Sequence, residues 1–93
     1  MKVSDIRDNQ GIVGEIDGTE VAVLSRDGRM TVWQNVCPHR GCQVLWNPDE
    51  ETWDCPCHGS RFGGDGRVIT GPATAPLKEL RFEVVGGELK LIG

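Results

Sequence analysis

Both histidines and all four cysteines of this 93-residue chain fall between positions 37 and 58. Thiolate sulfur and imidazole nitrogen are metal donors, so such crowding points to a metal or redox site. The donors sit in two short runs, Cys37-Pro38-His39-Arg40-Gly41-Cys42 and Cys55-Pro56-Cys57-His58-Gly59-Ser60. Pro38 and Pro56 stiffen these runs and Gly41 and Gly59 bend them, so both read as loops. Cys37-x-His39 and Cys55-x-x-His58 each offer one thiolate and one imidazole. Two chemistries suit that set. One is a structural Cys2His2 zinc site, although the two runs resemble zinc fingers poorly. The other is a 2Fe-2S cluster, whose tetrahedral irons share two sulfides and need four protein ligand atoms in total. Paired loops let both cysteines reach one iron and both histidines the other.

Imidazole is neutral where thiolate is negative, so this ligand set makes a cluster less negative and easier to reduce than four thiolates do. Two ferric ions and two sulfides carry a charge of plus two, which two cysteinates cancel. One added electron then favours protonation of the exposed imidazole nitrogens, and coupling of electron to proton uptake is the expectation.

The loops need a frame, and the rest of the chain reads as short strands. Asp17-Gly18, Asp27-Gly28, Asp65-Gly66 and Gly86-Gly87 separate apolar or β-branched segments, the signature of tight hairpins. Strands are expected over 11–16, 21–25, 30–35, 67–70, 80–85 and 89–92. Leu80, Phe82 and Val84 alternate with Arg81 and Glu83, which suits a strand with one face on a core. Val3 to Ile6 fits either an edge strand or a short turn. Between the donor loops, Val44 to Trp46 and Thr52 to Asp54 form a small hairpin turning at Asn47-Pro48-Asp49. The fold class is therefore all-β, with antiparallel sheets and a small cluster-binding subdomain over about 36–62 of a single domain spanning 1–93.

Bulk properties exclude several functions. A net charge of -4 with no basic stripe disfavours nucleic acid as a partner. The longest apolar run, Val21-Ala22-Val23-Leu24, is far below the roughly 20 residues of a membrane span, and no signal-peptide pattern is present. A soluble, cytoplasmic protein without a membrane partner is expected, in which clustered cysteines mean metal or redox chemistry sooner than disulfides. Trp33, Trp46 and Trp53 read as packing residues. Arg40 and Arg61 flank the donors and could make the tip basic, or could be solvated surface charge. Asp49-Glu50-Glu51 reads as a polar turn.

The two donor runs resemble the cluster-binding boxes of the Rieske iron-sulfur family, and Gly71-Pro72-Ala73-Thr74-Ala75-Pro76-Leu77 is similar to that family's third loop over the cluster. The resemblance implies one 2Fe-2S cluster held by Cys37, His39, Cys55 and His58, with Cys55 and not Cys57 as the second thiolate, at a potential of roughly -150 to +300 mV. It further implies a disulfide between Cys42 and Cys57, and a Ser60 hydroxyl donating toward a cluster sulfide, with Phe62 and Pro72 close around the site. High-potential members of the family carry a tyrosine where this chain has Phe62, which has no donor, so a lower potential is implied. The implied function is one-electron transfer, not catalysis by this domain itself, with a redox partner protein. The chain would be a ferredoxin, or a small subunit or terminal domain of a larger oxygenase or flavin-dependent oxidoreductase. Trp46-Asn47-Pro48 and the run from Thr52 to Phe62 resemble the domains appended to such flavoproteins.

Overall fold

The computed structural model describes residues 1–38 and 41–92. Strand β2 (Thr19–Arg26) organises the molecule, because its run of Val21, Ala22, Val23 and Leu24 is buried on both faces. β2 lies between β1 (Gln10–Ile16) and β3 (Arg29–Gln34). Both hairpins turn on Asp-Gly pairs, Asp17-Gly18 at φ 50° and 82° and Asp27-Gly28 at φ 53° and 77°. Left-handed backbone at both central positions suits the two-residue turn that matches strand twist. A short β8 (Glu79–Leu80) completes the sheet in the order β1-β2-β3-β8.

Alternate residues of β2 feed two different cores. Val21 and Val23 join Ile16, Val32 and Leu89 on one side. There the sheet is covered by the hairpin of β9 (Phe82–Val85) and β10 (Glu88–Leu91). Ala22 and Leu24 face the other way, into a core with Trp33, Cys37, Val44, Trp53, Cys55, Phe62, Ala73 and Leu77. That second core is closed by a sheet of β4 (Leu45–Asn47), β5 (Thr52–Asp54), β6 (Arg61–Phe62) and β7 (Val68–Thr70), in chain order and antiparallel throughout. The all-β expectation holds, and the donor loops belong to the second core.

One local expectation is revised, one alternative is decided and one strand is new. The segment 80–85 is not one strand: β8 pairs with β3, β9 pairs with β10, and the chain switches partners at Arg81, whose carbonyl accepts from the Ile92 N–H at 2.9 Å. Val84 lies 50% exposed, although its cross-strand partner Leu89 is buried. Val3 to Ile6 resolves as a turn, a short 3-10 helix over Val3–Asp5 behind a bridge between Lys2 and Glu88. β6 was not anticipated, since two residues carry no readable period; it exists because Trp53 and Asp54 pair with Phe62 and Arg61. β7 carries the third sheet beyond the 36–62 stretch, and a register shift opposite Arg61 and Phe62 leaves Ile69 outside the ladder.

The third sheet seats on the first through indole rings. Trp46 and Trp53 are cross-strand partners with centroids 4.9 Å apart, and Trp53 meets Trp33 of β3 edge-on at 6.1 Å. Their seat is Gly11 of β1, where a Cβ would lie 2.7 Å from Trp46 Cγ and 2.8 Å from Trp53 Cη2. Gly11→Ala forces two packed rings to move and should destabilise the protein by about 1–3 kcal/mol. Thermal unfolding of the variant checks this, and an unchanged midpoint would show that the rings do not rest on Gly11.

Candidate metal centre

The two donor loops close on themselves with the same hydrogen bonds. In the first, the Cys37 N–H donates to the Cys42 carbonyl at 2.7 Å and the Gly41 N–H to the Cys37 carbonyl at 2.8 Å. In the second, the Cys55 N–H donates to the Ser60 carbonyl at 2.8 Å and the Gly59 N–H to the Cys55 carbonyl at 3.1 Å. Gly41 and Gly59 sit at φ 77° and 82°, a conformation that carries a Cβ penalty for any other residue. The loops are therefore backbone equivalents, Cys37 matching Cys55 and Cys42 matching Ser60.

Each loop is held at its stem. The second joins β5 to β6 directly, between the paired Asp54 and Arg61. The first joins β3 to β4, which lie in different sheets and do not pair, and a side chain does the work instead. The buried Asn35 amide accepts from the Val44 N–H at 2.6 Å and donates to the Val44 carbonyl at 3.3 Å, clamping the stem of the loop like one rung of a ladder. Nothing in the residue pattern marked Asn35; a polar residue ending a predicted strand was the only signal.

The equivalence places Cys37 and Cys55 inward, 1% and 2% exposed, in one core with Phe62, Ala73 and Leu77. Burial pushes the Cys55 thiol up, and the neighbouring Cys37 adds to this. The backbone N–H groups of Cys57 and His58 act in the opposite sense, favouring negative charge on the Cys55 sulfur. Pro56, Cys57 and His58 lie on the exposed side of the loop. His39 and Arg40 lie outside the described residues. Cys42 and Cys57 are joined as a disulfide with Cα atoms 6.5 Å apart, at the wide end of the usual span. The sulfurs of Cys42, Cys55 and Cys57 all lie within 4.8 Å of one another.

A third segment packs on the pair. Ala73 and Leu77 are buried, the Leu77 N–H donates to the Gly66 carbonyl at 2.9 Å, and Pro72 is exposed after a cis peptide with Gly71. Ser60, fully buried, accepts from the Ala73 N–H at 3.0 Å through its hydroxyl oxygen. This tie was not foreseen; it occupies a lone pair of Ser60 and leaves its proton available to the site. Phe62 is fully buried in the same core as the two thiols and brings no donor. Arg61 is half-exposed, with its Nε 3.6 Å from Asp54, and Asp54 also accepts from Asn47 at 2.9 Å and Thr52 at 2.6 Å. A carboxylate thus offsets the Arg61 charge, which weakens the idea of a basic tip. The tryptophans pack as expected; the Trp53 indole N–H is buried without a hydrogen-bond partner.

The donor set fits a 2Fe-2S cluster: two adjacent buried thiols, backbone N–H groups directed at sulfur, and loops whose outer side is open. Comparison with known proteins is consistent with this chemistry. The family profile described as Rieske 2Fe-2S domain matches residues 1–81. The Bacillus subtilis (strain 168) protein YhfW, whose name describes a Rieske 2Fe-2S iron-sulfur protein, is 42% identical over 81 residues, 86% of this chain and 16% of its own. The cytochrome b6-f complex iron-sulfur subunit of Chlorobaculum tepidum is 31% identical over 86 residues, 92% of this chain and 48% of its own. This chain thus spans less than half the length of either relative. Among solved structures, the plasma membrane Rieske protein PetC3 of Synechocystis PCC 6803 superposes with a TM-score of 0.74 at 29% identity, covering 89% of this chain and 86% of that one. The ferredoxin of carbazole 1,9a-dioxygenase from Nocardioides aromaticivorans IC177, at 20% identity, shares the fold with a TM-score of 0.71 over 98% and 91% of the two chains. From its matching profile, its relatives and its fold, the chain belongs to the Rieske iron-sulfur family, whose domain carries one 2Fe-2S cluster and transfers electrons through it.

Proposed function

We propose that Cys37, His39, Cys55 and His58 hold the cluster and that electrons enter and leave at the exposed side of the two loops. The observation that carries this reading is the backbone equivalence of the loops, which sets Cys37 and Cys55 side by side in the core. The bound cluster supplies a one-electron couple. The chain's own part is to keep both thiolates dry, to direct the Cys57 and His58 N–H groups at the Cys55 sulfur, and to present His58 on the exposed side. Ser60 and Phe62 set how well negative charge is tolerated there, the first through a hydroxyl proton, the second by offering none.

The whole is proposed to act as a cytoplasmic electron carrier for a redox partner protein, one domain over 1–93 with its cluster-binding part near 36–62. Among the described residues no helix is long and apolar enough to cross a membrane. A free ferredoxin is one form of this reading. The other is a domain or subunit of a larger oxidoreductase, supported by YhfW, in which the matching region is 16% of the chain. The mass of the native polypeptide detected by an antibody to this domain separates the two.

Visible absorption and low-temperature electron paramagnetic resonance, before and after dithionite, test the ligand set. The wild type should be brown and give the signal of a mixed-ligand 2Fe-2S centre on reduction. Cys37→Ser, Cys55→Ser, His39→Ala and His58→Ala should each abolish or alter that signal. A Cys55→Ser protein with a wild-type signal would overturn the assignment in favour of Cys57.

Phe62→Tyr adds a donor beside the buried sulfurs and should raise the midpoint potential by roughly 20–60 mV, the equivalent of one ordinary hydrogen bond for a one-electron couple. Voltammetry showing no rise would mean that the hydroxyl finds no sulfur. Ser60→Ala removes the partner of the Ala73 N–H and should speed amide exchange across 71–77 by roughly 3–10-fold while lowering the potential, with Ser60→Thr restoring both. Unchanged exchange in Ser60→Ala would show that the third loop is held without this bond.

A further inference from the structure

All four cysteines meet in one small volume, and only two of them are needed to hold a cluster. The Cys55 sulfur lies within 4.8 Å of both sulfurs of the Cys42–Cys57 disulfide, and the Cys55 thiol also interacts directly with Cys37. A nucleophile is therefore in place beside a disulfide, in contact with a second thiol. We propose that in the cluster-free protein these residues form an internal thiol–disulfide exchange relay, which moves the disulfide onto the two ligand cysteines and closes the site to iron. This rests on the reading of Cys37 and Cys55 as ligands, because iron bound to them is what withholds them from reaction.

The chemistry balances without an outside oxidant. The Cys55 sulfur attacks one sulfur of the Cys42–Cys57 bond. That bond breaks, a mixed disulfide forms between Cys55 and the attacked cysteine, and the displaced sulfur takes up the proton that Cys55 gave up. The Cys37 sulfur then attacks the Cys55 sulfur, forms the Cys37–Cys55 bond and releases the second sulfur, which is protonated in turn. Two electrons have passed from Cys37 and Cys55 to Cys42 and Cys57, along with two protons, and the number of free thiols is unchanged. The step order follows from reach. The Cys55 sulfur is grouped with both disulfide sulfurs within 4.8 Å and Cys37 is not part of that group, so Cys37 reaches the oxidising bond through Cys55. Loss of the cluster thereby becomes a stored redox state of the protein, which a reductant must reverse before iron can return.

Trypsin makes the outcome legible. Cleavage after Arg29, Arg40 and Arg61 leaves Cys37 alone on the peptide 30–40, while Cys42, Cys55 and Cys57 share the peptide 41–61. The native disulfide lies within the second peptide, and any bond to Cys37 cross-links the two. Full-length protein is stripped of its cluster anaerobically with acid and chelator, without reductant. It is then returned to mildly alkaline buffer, alkylated at intervals and digested. The expected result is growth of the cross-linked pair at constant total thiol, absent from protein that retains its cluster. Cys55→Ser should prevent the cross-link. Cys37→Ser should halt the relay at the mixed disulfide, so that the alkylation label leaves Cys55 for Cys42 or Cys57. A cluster-free wild type that keeps only the Cys42–Cys57 bond overturns the relay and leaves the ligand assignment standing. Cross-linking in the cluster-loaded protein overturns the ligand assignment as well. Cross-linking that survives Cys55→Ser shows direct attack by Cys37 and overturns the relay through Cys55.

Discussion

Two thiols from loops far apart in sequence must lie side by side in the dry part of a small domain that, among the described residues, has no long helix to carry them. The solution is a loop that closes on itself. A cysteine N–H donates to a carbonyl five residues on, and a left-handed glycine lets the chain turn back before it does so. Each loop thereby satisfies its own buried backbone at the point where the sheet ladder ends, which a buried segment must do. The rest of the structure serves to bring two copies of this loop together at the right separation.

That task falls to the asymmetry of the first sheet. β2 is buried on both faces, so it can build an ordinary hydrophobic core with the β9–β10 hairpin and still offer a second face to the sheet that the donor loops adjoin. The second face is filled with indoles, large and stiff groups that fix the distance between layers, and Gly11 gives them clearance. The buried, unpartnered Trp53 N–H is a cost of this arrangement, on the order of 1–3 kcal/mol. Packing of three rings around the loop stems is what the domain receives in exchange.

The frame was largely legible from residue patterns, because the Asp-Gly and Gly-Gly turns and the β-branched runs between them are local signals. What stayed hidden was non-local. The break at Arg81 arises because two different partners compete for one apolar run, and alternation alone cannot show a change of partner. β6 is too short to have a period. Asn35 and the Ser60–Ala73 bond are single polar contacts between segments, whose meaning depends on what they face. At the site, the two runs were visible as a donor cluster from residue type alone, and the disulfide followed from family resemblance. The matching hydrogen bonds of the two loops could not be read in advance, since their sequences share only the cysteine, the proline and the glycine.

That last point explains how a symmetric scaffold yields an asymmetric centre. With Cys37 matched to Cys55, the third position is His39 in one loop and Cys57 in the other, while His58 matches Arg40. The sixth positions are Cys42 and Ser60. Backbone equivalence therefore governs only where the thiols go. The histidines occupy different positions of the two runs, the disulfide joins a sixth position to a third, and Ser60 stands where its twin carries sulfur and ties down the third loop instead. The shared residues of the two runs, cysteine, proline and glycine, are those the backbone requires. The unshared ones are those that distinguish one side of the centre from the other, and they are the positions at which chemistry can change without altering the fold.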